Sequence, residues 1–168
     1  MSNSQASPVQ NITLAGWGLL GSAGLLLVVS FLPWWTIETP GESRSESGWF
    51  AFWWIGVVLA VVAAVAYALI VFEVVEFKVD VPLPLVVAYA SLATFAVTLL
   101  ALVHTLLKNT FDGVDLSEIP KEAPIAWGPS FGIYIALIAA AVLAYCGSLA
   151  AQEAGAKLPF TVPGRSVR

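Results

Sequence analysis

Residues 47–72 read SGWFAFWWIGVVLAVVAAVAYALIVF and contain no charged side chain. The hydrocarbon core of a bilayer is about 30 Å thick, so a helix that crosses it needs roughly 20 mostly apolar residues. This stretch is long enough to cross. Three further stretches without Asp, Glu, Lys or Arg have the same property, and they are residues 1–37, 81–107 and 123–152. The sequence therefore predicts an integral membrane protein with four spanning helices.

The composition supports a membrane domain rather than a soluble one. Hydrophobic residues make up 59% of the chain and charged residues 11%, whereas an ordinary soluble domain carries about 25% charged residues. So few charges cannot cover the surface of a water-soluble protein that contains this much apolar material. We expect one domain over residues 1–168 with an all-α fold, a four-helix transmembrane bundle joined by short loops.

Prolines, glycines and charged residues set the predicted ends of the helices. The first helix ends near residues 33–35, and a polar loop with a turn at Pro40-Gly41 follows it. Pro84 and Pro129 fall in the first turns of the third and fourth helices, where proline is tolerated. The predicted helices are residues 12–35, 49–72, 84–107 and 129–151, and a polar tail follows at 152–168.

Lysines and arginines near the helix ends predict the orientation, because cytoplasmic loops carry an excess of them. The side that holds both termini has four basic residues and the other side has three. The four are Lys78, Lys157, Arg165 and Arg168, and the three are Arg44, Lys108 and Lys121. We therefore expect both termini to lie in the cytoplasm.

Six of the seven tryptophans fall near the predicted outer boundary of the membrane, and Trp17 falls near the inner one. Indole rings favour the headgroup region because the ring is apolar while its N–H stays hydrated. One interpretation is a belt of interfacial anchors. The alternative is an aromatic patch that contacts a lipid or a partner protein. The six are Trp34, Trp35, Trp49, Trp53, Trp54 and Trp127.

Small residues recur every four positions on the second and fourth helices, and positions i and i+4 lie on one helix face. Such a stripe lets backbones approach closely, which is how helices associate in lipid. We expect the stripes to hold the bundle together, with the alternative that the stripe on the fourth helix faces another subunit. They are Gly56, Ala60, Ala64 and Ala68 on the second helix, and Gly132, Ala136, Ala140, Ala144 and Ser148 on the fourth.

Side chains suited to catalysis or metal binding are scarce. The predicted spans contain no Asp, Glu, Lys or Arg, which are the usual groups of ion and proton pathways. His104, near the end of the third helix, is interpreted as a boundary histidine bonded to a backbone carbonyl, with a proton or metal site as the alternative. One histidine and one cysteine, Cys146, are too few for a zinc site or a bis-ligated haem. We expect no catalytic residue, cofactor or metal, and the seven scattered basic residues argue against nucleic-acid binding.

The first predicted helix ends in Leu32-Pro33-Trp34, and the second begins with Ser47-Gly48-Trp49. In these two motifs the connection between the first two helices resembles that of a group of small four-helix membrane proteins of actinobacteria, to which no activity is assigned. The resemblance implies a multi-pass protein of a bacterial plasma membrane. A weaker likeness is to the claudin-like group, although the loop is shorter here and contains no cysteine.

The function expected from these features is non-enzymatic and depends on contacts. The chain would be an accessory or scaffold subunit of a larger membrane assembly, or a homo-oligomer. Its partners would be membrane lipid and other membrane protein subunits or further copies of itself, with no nucleic acid. The alternative is a small oligomeric transporter or channel for a neutral or lipid-like solute.

Overall fold

The computed structural model describes residues 12–72, 82–120, 123–160 and 162–163. Four helices make up most of it. Three of them are long and apolar enough to cross a membrane, whereas the first is apolar but has 16 residues. The helices are α1 (Leu14–Val29), α2 (Trp54–Val71), α3 (Leu83–Leu107) and α4 (Phe131–Glu153). The predicted helical membrane protein is confirmed at this level.

The prediction of a purely α-helical fold is wrong, because segments between the helices form two small sheets. Strands β1 (Pro33–Thr39) and β2 (Glu42–Ser47) form an antiparallel hairpin that turns at the predicted Pro40-Gly41. Gly41 has a φ of 88°, a conformation that glycine adopts without strain. Two more short strands, β3 (Thr110–Phe111) and β4 (Val114–Asp115), pair with each other.

A fifth strand, β5 (Ala126–Pro129), completes the larger sheet by pairing with the other side of β1. The strand order is therefore β2-β1-β5. Strand β1 follows the end of α1, β2 precedes α2, and β5 leads directly into α4. All these connections lie at one end of the helices, which we call the sheet end.

The predicted bounds of the first two helices are wrong for the same reason. Helix α1 ends at Val29 rather than near residue 35, and α2 begins at Trp54 rather than at residue 49. An apolar run can form either a helix or a buried strand, and local periodicity does not separate the two. Here β1 gains ladder hydrogen bonds on both sides, from β2 and from β5. The neighbouring strand β2 and the distant strand β5 together favour the strand over a helix.

The helices pack in a ring in which each packs mainly along two neighbours. Helix α4 packs along α1 and α3, and α2 packs along α3 and, less extensively, α1. Close approach depends on small residues, as expected for helices in lipid. A β-carbon on Gly147 of α4 would collide with the Ser91 hydroxyl of α3. One on Gly56 of α2 would lie 3.3 Å from Oγ1 of Thr98.

The predicted stripe on α4 faces the interior of this chain. All five of its residues are buried. On α2 the stripe is less regular, since Gly56 and Ala60 are buried while Ala64 and Ala68 are half-buried. Ala63 and Ala66 are buried instead, so the packed face of α2 follows mixed spacings of three and four residues, which is the usual period of a helix face. The α4 stripe offers no free surface for another subunit.

Gly132 fixes the distance between the start of α4 and strand β1. A β-carbon there would collide with the carbonyl oxygen of Pro33 and lie 3.0 Å from Cδ1 of Trp34. We expect Gly132→Ala to lower the free energy of unfolding by about 1–3 kcal/mol, because a backbone atom must move. Gly24→Ala is the matched control, since nothing lies within 4 Å of its added carbon. Equal effects on unfolding in detergent micelles would contradict the prediction.

Candidate functional site

Three tryptophans form the centre of an aromatic cluster at the sheet end. Trp34 and Trp35 lie on β1, and Trp53 lies just before α2. Their exposed fractions are 1%, 0% and 0%. Adjacent residues of a strand normally point to opposite faces, but the register of β1 against β2 shifts between Pro33 and Trp35. Such an irregularity changes the direction of nearby side chains, and here both neighbouring indoles are buried.

The rings of the cluster contact one another at favourable distances. Trp53 stacks on Trp34 with ring centres 5.9 Å apart and meets Phe50 edge-on at 5.4 Å. Trp35 stacks on Phe111 at 5.8 Å. Aromatic pairs with centres about 4.5–7 Å apart stabilise a fold beyond the area they bury. We call Trp34, Trp35, Phe50, Trp53, His104 and Phe111 the sheet-end cluster.

An ion pair lies against this cluster. Lys108, directly after α3, pairs with Glu46 of β2, and their side chains are 7% and 13% exposed. The Lys108 ammonium also lies 4.4 Å from the centre of the Trp35 ring and 4.1 Å from that of Phe50. A cation over an aromatic face is attracted by the negative charge of the ring face. The ammonium therefore joins the end of α3 to the sheet through one carboxylate and two rings.

His104 lies one helical turn before Lys108 and belongs to the same cluster. It meets Phe52 and Trp53 edge-on, with ring centres 5.5 Å and 5.7 Å away. Its Nδ1 atom is buried and has no hydrogen-bond partner among the residues that the structure describes. The predicted bond from the histidine to a backbone carbonyl is therefore not made by Nδ1. Within those same residues, no group of three or more His, Cys, Asp or Glu could hold a metal ion.

In the structure, the six tryptophans of the predicted outer belt divide into three buried and three exposed residues. Trp34, Trp35 and Trp53 are core residues, because the sheet and the helix ends cover them, and they offer no surface to a partner. Trp49, Trp54 and Trp127 are 43%, 44% and 37% exposed. Only these three retain a surface for the predicted contact with lipid or protein.

A set of exposed aromatic side chains lies where α1 ends and where α2 begins. Phe31 is 68% exposed and packs on Trp49 with ring centres 5.7 Å apart. Phe50 and Trp54 are also exposed. Exposed rings at the end of apolar helices are typical of the boundary between hydrocarbon and water. The exposed rings at the sheet end match this pattern.

The other charges described at the sheet end lie in water. Arg44 of β2 pairs with Glu42 at 2.9 Å and with Asp112 at 3.6 Å, and the hydrogen bond that its guanidinium donates to the Glu42 carboxylate raises the pKa of Arg44. The hydroxyl of Ser117, followed by its backbone N–H, lowers the pKa of Asp115. Exposed pairs of this kind contribute little to stability. Among the residues that the structure describes, Lys108 and Glu46 form the buried ion pair.

Sequence reasoning missed the link between Lys108 and Glu46. Both residues lie in predicted loops between helices, and 62 positions separate them. The available signal is weak. It consists of a lysine directly after the third apolar stretch and a glutamate directly before the second. Only the sheet brings them together.

Comparison of the chain with protein-family models, with curated proteins and with solved structures finds no match. The fold itself defines a class. It is a mostly helical protein, with three helices long and apolar enough to cross a membrane, that carries a small sheet fixed to one end of its helices by an aromatic cluster.

Proposed function

We propose that this chain is a non-enzymatic accessory subunit of a bacterial plasma membrane, and that it binds another membrane protein through the free edge of its sheet. In this proposal all four helices span the bilayer and both termini are cytoplasmic. Helix α1 is about 24 Å long at 1.5 Å per residue. It packs along α4 and joins the same sheet end as the longer helices, which supports its being a fourth span.

The single observation that carries the proposal is the position of β2. It lies at the edge of the sheet, and its residues 42–45 are exposed. In an antiparallel hairpin, alternate residues direct their N–H and C=O away from the partner strand. Closure by a two-residue turn makes Ser43 and Ser45 these residues. Among the residues described, no backbone group outside β1 pairs with them.

A free edge of this kind is a template for a strand of another chain. The sheet that carries it is held rigidly, because the aromatic cluster and the Lys108–Glu46 pair fix it to the helix ends. A fixed edge loses little conformational freedom when a partner binds.

The test is gentle extraction of the tagged protein from its native membrane, followed by mass spectrometry of the proteins recovered with it. We expect one membrane protein in near-stoichiometric amount. Ser45→Pro should lower its recovery by at least about tenfold, since proline removes an outward N–H yet is tolerated on an edge strand. Ser45→Ala keeps the backbone donor and should retain the partner.

Three outcomes would contradict the proposal. Undiminished recovery with Ser45→Pro would remove the edge as the docking surface. Recovery of the wild-type chain alone would remove the accessory role. A complex that contains this chain alone, at twice its mass or more, would indicate a homo-oligomer, and solute flux through liposomes would then test the transporter alternative.

A further inference from the structure

A small cavity lies at the opposite end of the helices from the sheet, where the first turn of α1 meets the last turns of α2 and α4. Its volume is about 220 Å³, below the roughly 300–1,000 Å³ of sites that enclose a whole small molecule. It therefore fits one group of a larger ligand. Three of its side chains carry oxygen, and these are Thr13, Tyr67 and Glu153. The rest of the wall is apolar and consists of Ile70, Val71, Ala150 and Ala154.

Two of the oxygens lie on either side of Gly16 in the first turn of α1. The backbone N–H of Gly16 donates to Oγ1 of Thr13 at 3.1 Å, and a hydroxyl that accepts one bond keeps a second lone pair. The Tyr67 hydroxyl fills the space beside Gly16, where an added β-carbon would collide with it. The absence of a side chain at Gly16 thus brings the two hydroxyls together.

The Tyr67 hydroxyl is available to a ligand. The residue is 4% exposed, and no hydrogen bond within the described residues involves its hydroxyl. The hydroxyl is not among the unpartnered oxygens that are sealed from the surface. A tyrosine buried to this extent usually finds a partner for its hydroxyl, so a polar group in the cavity would complete it.

Glu153 supplies a carboxylate on the same side of α4 as the cavity wall. Ala150 is 2% exposed and lines the cavity, and residues three positions apart share a helix face. Glu153 has no ion-pair partner in the part of the chain that the structure describes. A carboxylate forms its strongest hydrogen bonds with a cationic donor, which makes a cation the matching occupant.

The number of oxygens fits a primary ammonium. Such a group has three N–H donors and no acceptor, and the cavity offers one acceptor side chain for each donor. A metal ion fits less well, because Ca²⁺ takes about 6–8 oxygen ligands. Among the described residues, no group of three or more His, Cys, Asp or Glu could hold a metal ion. The apolar wall suits the methylene carbons that follow the nitrogen.

The position of the cavity favours the headgroup of a phospholipid as the source of the ammonium. Helices α2 and α4 are long and apolar enough to cross a bilayer, so their last turns would lie near the headgroup level. The backbone N–H groups of Leu14 and Ala15 have no backbone partner among the residues described. A helix N-terminus with free N–H groups attracts a phosphate. Phosphatidylethanolamine carries a phosphate two carbons from its ammonium and therefore complements both features.

We propose that the cavity binds the headgroup of phosphatidylethanolamine. The ammonium donates to the side chains of Thr13, Tyr67 and Glu153, and the phosphate lies at the N-terminus of α1. The site is separate from the sheet edge and depends only on α2 and α4 crossing the membrane. It gives the protein a preference for one lipid headgroup on the side of the membrane opposite to the sheet.

The test is native mass spectrometry of the full-length protein in detergent, titrated with dioleoyl phosphatidylethanolamine or dioleoyl phosphatidylcholine. The two lipids share acyl chains and phosphate, but the trimethylated nitrogen of phosphatidylcholine has no N–H. We expect phosphatidylethanolamine to bind at least about tenfold more tightly. Glu153→Gln should weaken its binding about tenfold, since a charge-assisted bond is lost. Glu118→Gln is the matched control, because Glu118 is an exposed glutamate outside the cavity.

Tyr67→Phe provides a second variant that keeps the ring beside Gly16 and removes only the hydroxyl. It should weaken binding of phosphatidylethanolamine about fivefold, as loss of one hydrogen bond predicts. Tyr89→Phe is its control, since Tyr89 is 52% exposed and does not line the cavity.

Three results would overturn the proposal. The first is equal affinity of the wild-type protein for the two lipids. The second is unchanged binding of phosphatidylethanolamine in both Glu153→Gln and Tyr67→Phe. The third is displacement of phosphatidylethanolamine by an equal concentration of free ethanolamine, which would make a soluble amine the ligand of the cavity.

Discussion

Replacing Lys108 by methionine is expected to lower the free energy of unfolding by about 3–5 kcal/mol, because it leaves the carboxylate of Glu46 buried without its cation. The side chains of the pair are 7% and 13% exposed, so water reaches them poorly. The variant also removes the ammonium from the faces of Trp35 and Phe50. Equilibrium unfolding in mixed detergent micelles, followed by tryptophan fluorescence, measures the change.

The double variant Lys108→Met with Glu46→Gln separates the ion pair from simple packing. With both charges gone, no buried charge is left unpaired, and similar replacements elsewhere are often neutral. We therefore expect the double variant to be more stable than Lys108→Met alone. Additive losses from the two single variants would show that the residues act independently, which would contradict the buried pair.

Arg44→Met is the matched control for the loss of a basic residue from the same side of the protein. Arg44 also pairs with acidic residues, but its side chain is 56% exposed. Exposed pairs of this type are weak because water screens them, so we expect no measurable change in unfolding. A loss as large as that of Lys108→Met would mean that net charge, rather than burial, determines stability here.

The part of the fold that could be predicted is the part that depends on local sequence. Helices α2, α3 and α4 each follow from one uncharged apolar run, and their observed bounds lie within a few residues of those predicted, except at the start of α2. The turn at Pro40-Gly41 also depends on two adjacent residues with known preferences. Local information is enough in these cases because the stabilising contacts lie within the segment itself.

The three-stranded sheet could not be predicted, because strand β5 is far from β1 and β2 in the chain. Residues 33–35 continue the apolar run of α1, and although Pro33 marks the end of the helix, the periodicity of the run does not show that a buried strand follows. Strand β1 needs β5, in which Trp127 pairs with Ile37. The Lys108–Glu46 pair depends on the β1–β2 hairpin, because Glu46 lies on β2. Identifying the sheet is therefore the step on which the site depends.

A comparison of two adjacent tryptophans tests this account most directly. Trp53 is 0% exposed and Trp54 is 44% exposed. Trp53→Ala is expected to lower the free energy of unfolding by about 3–5 kcal/mol, because it leaves a cavity among Trp34, Phe50 and His104. Trp54→Ala should change it by no more than about 0.5 kcal/mol, as at other surface positions. Unfolding in detergent micelles measures both variants.

The sequence alone does not distinguish the roles of Trp53 and Trp54, because both positions fit an interfacial belt. If belt anchoring governed them equally, the two variants would weaken membrane insertion alike and affect unfolding in detergent micelles to a similar, small degree. A core role for Trp53 instead predicts a large loss of stability in detergent micelles, where no bilayer interface exists. It also predicts that loss of the Trp53 ring weakens the attachment of the sheet to the helix ends, because Trp53 stacks on Trp34 of β1. Trp53→Ala should therefore reduce partner recovery along with stability, while Ser45→Pro should reduce recovery alone.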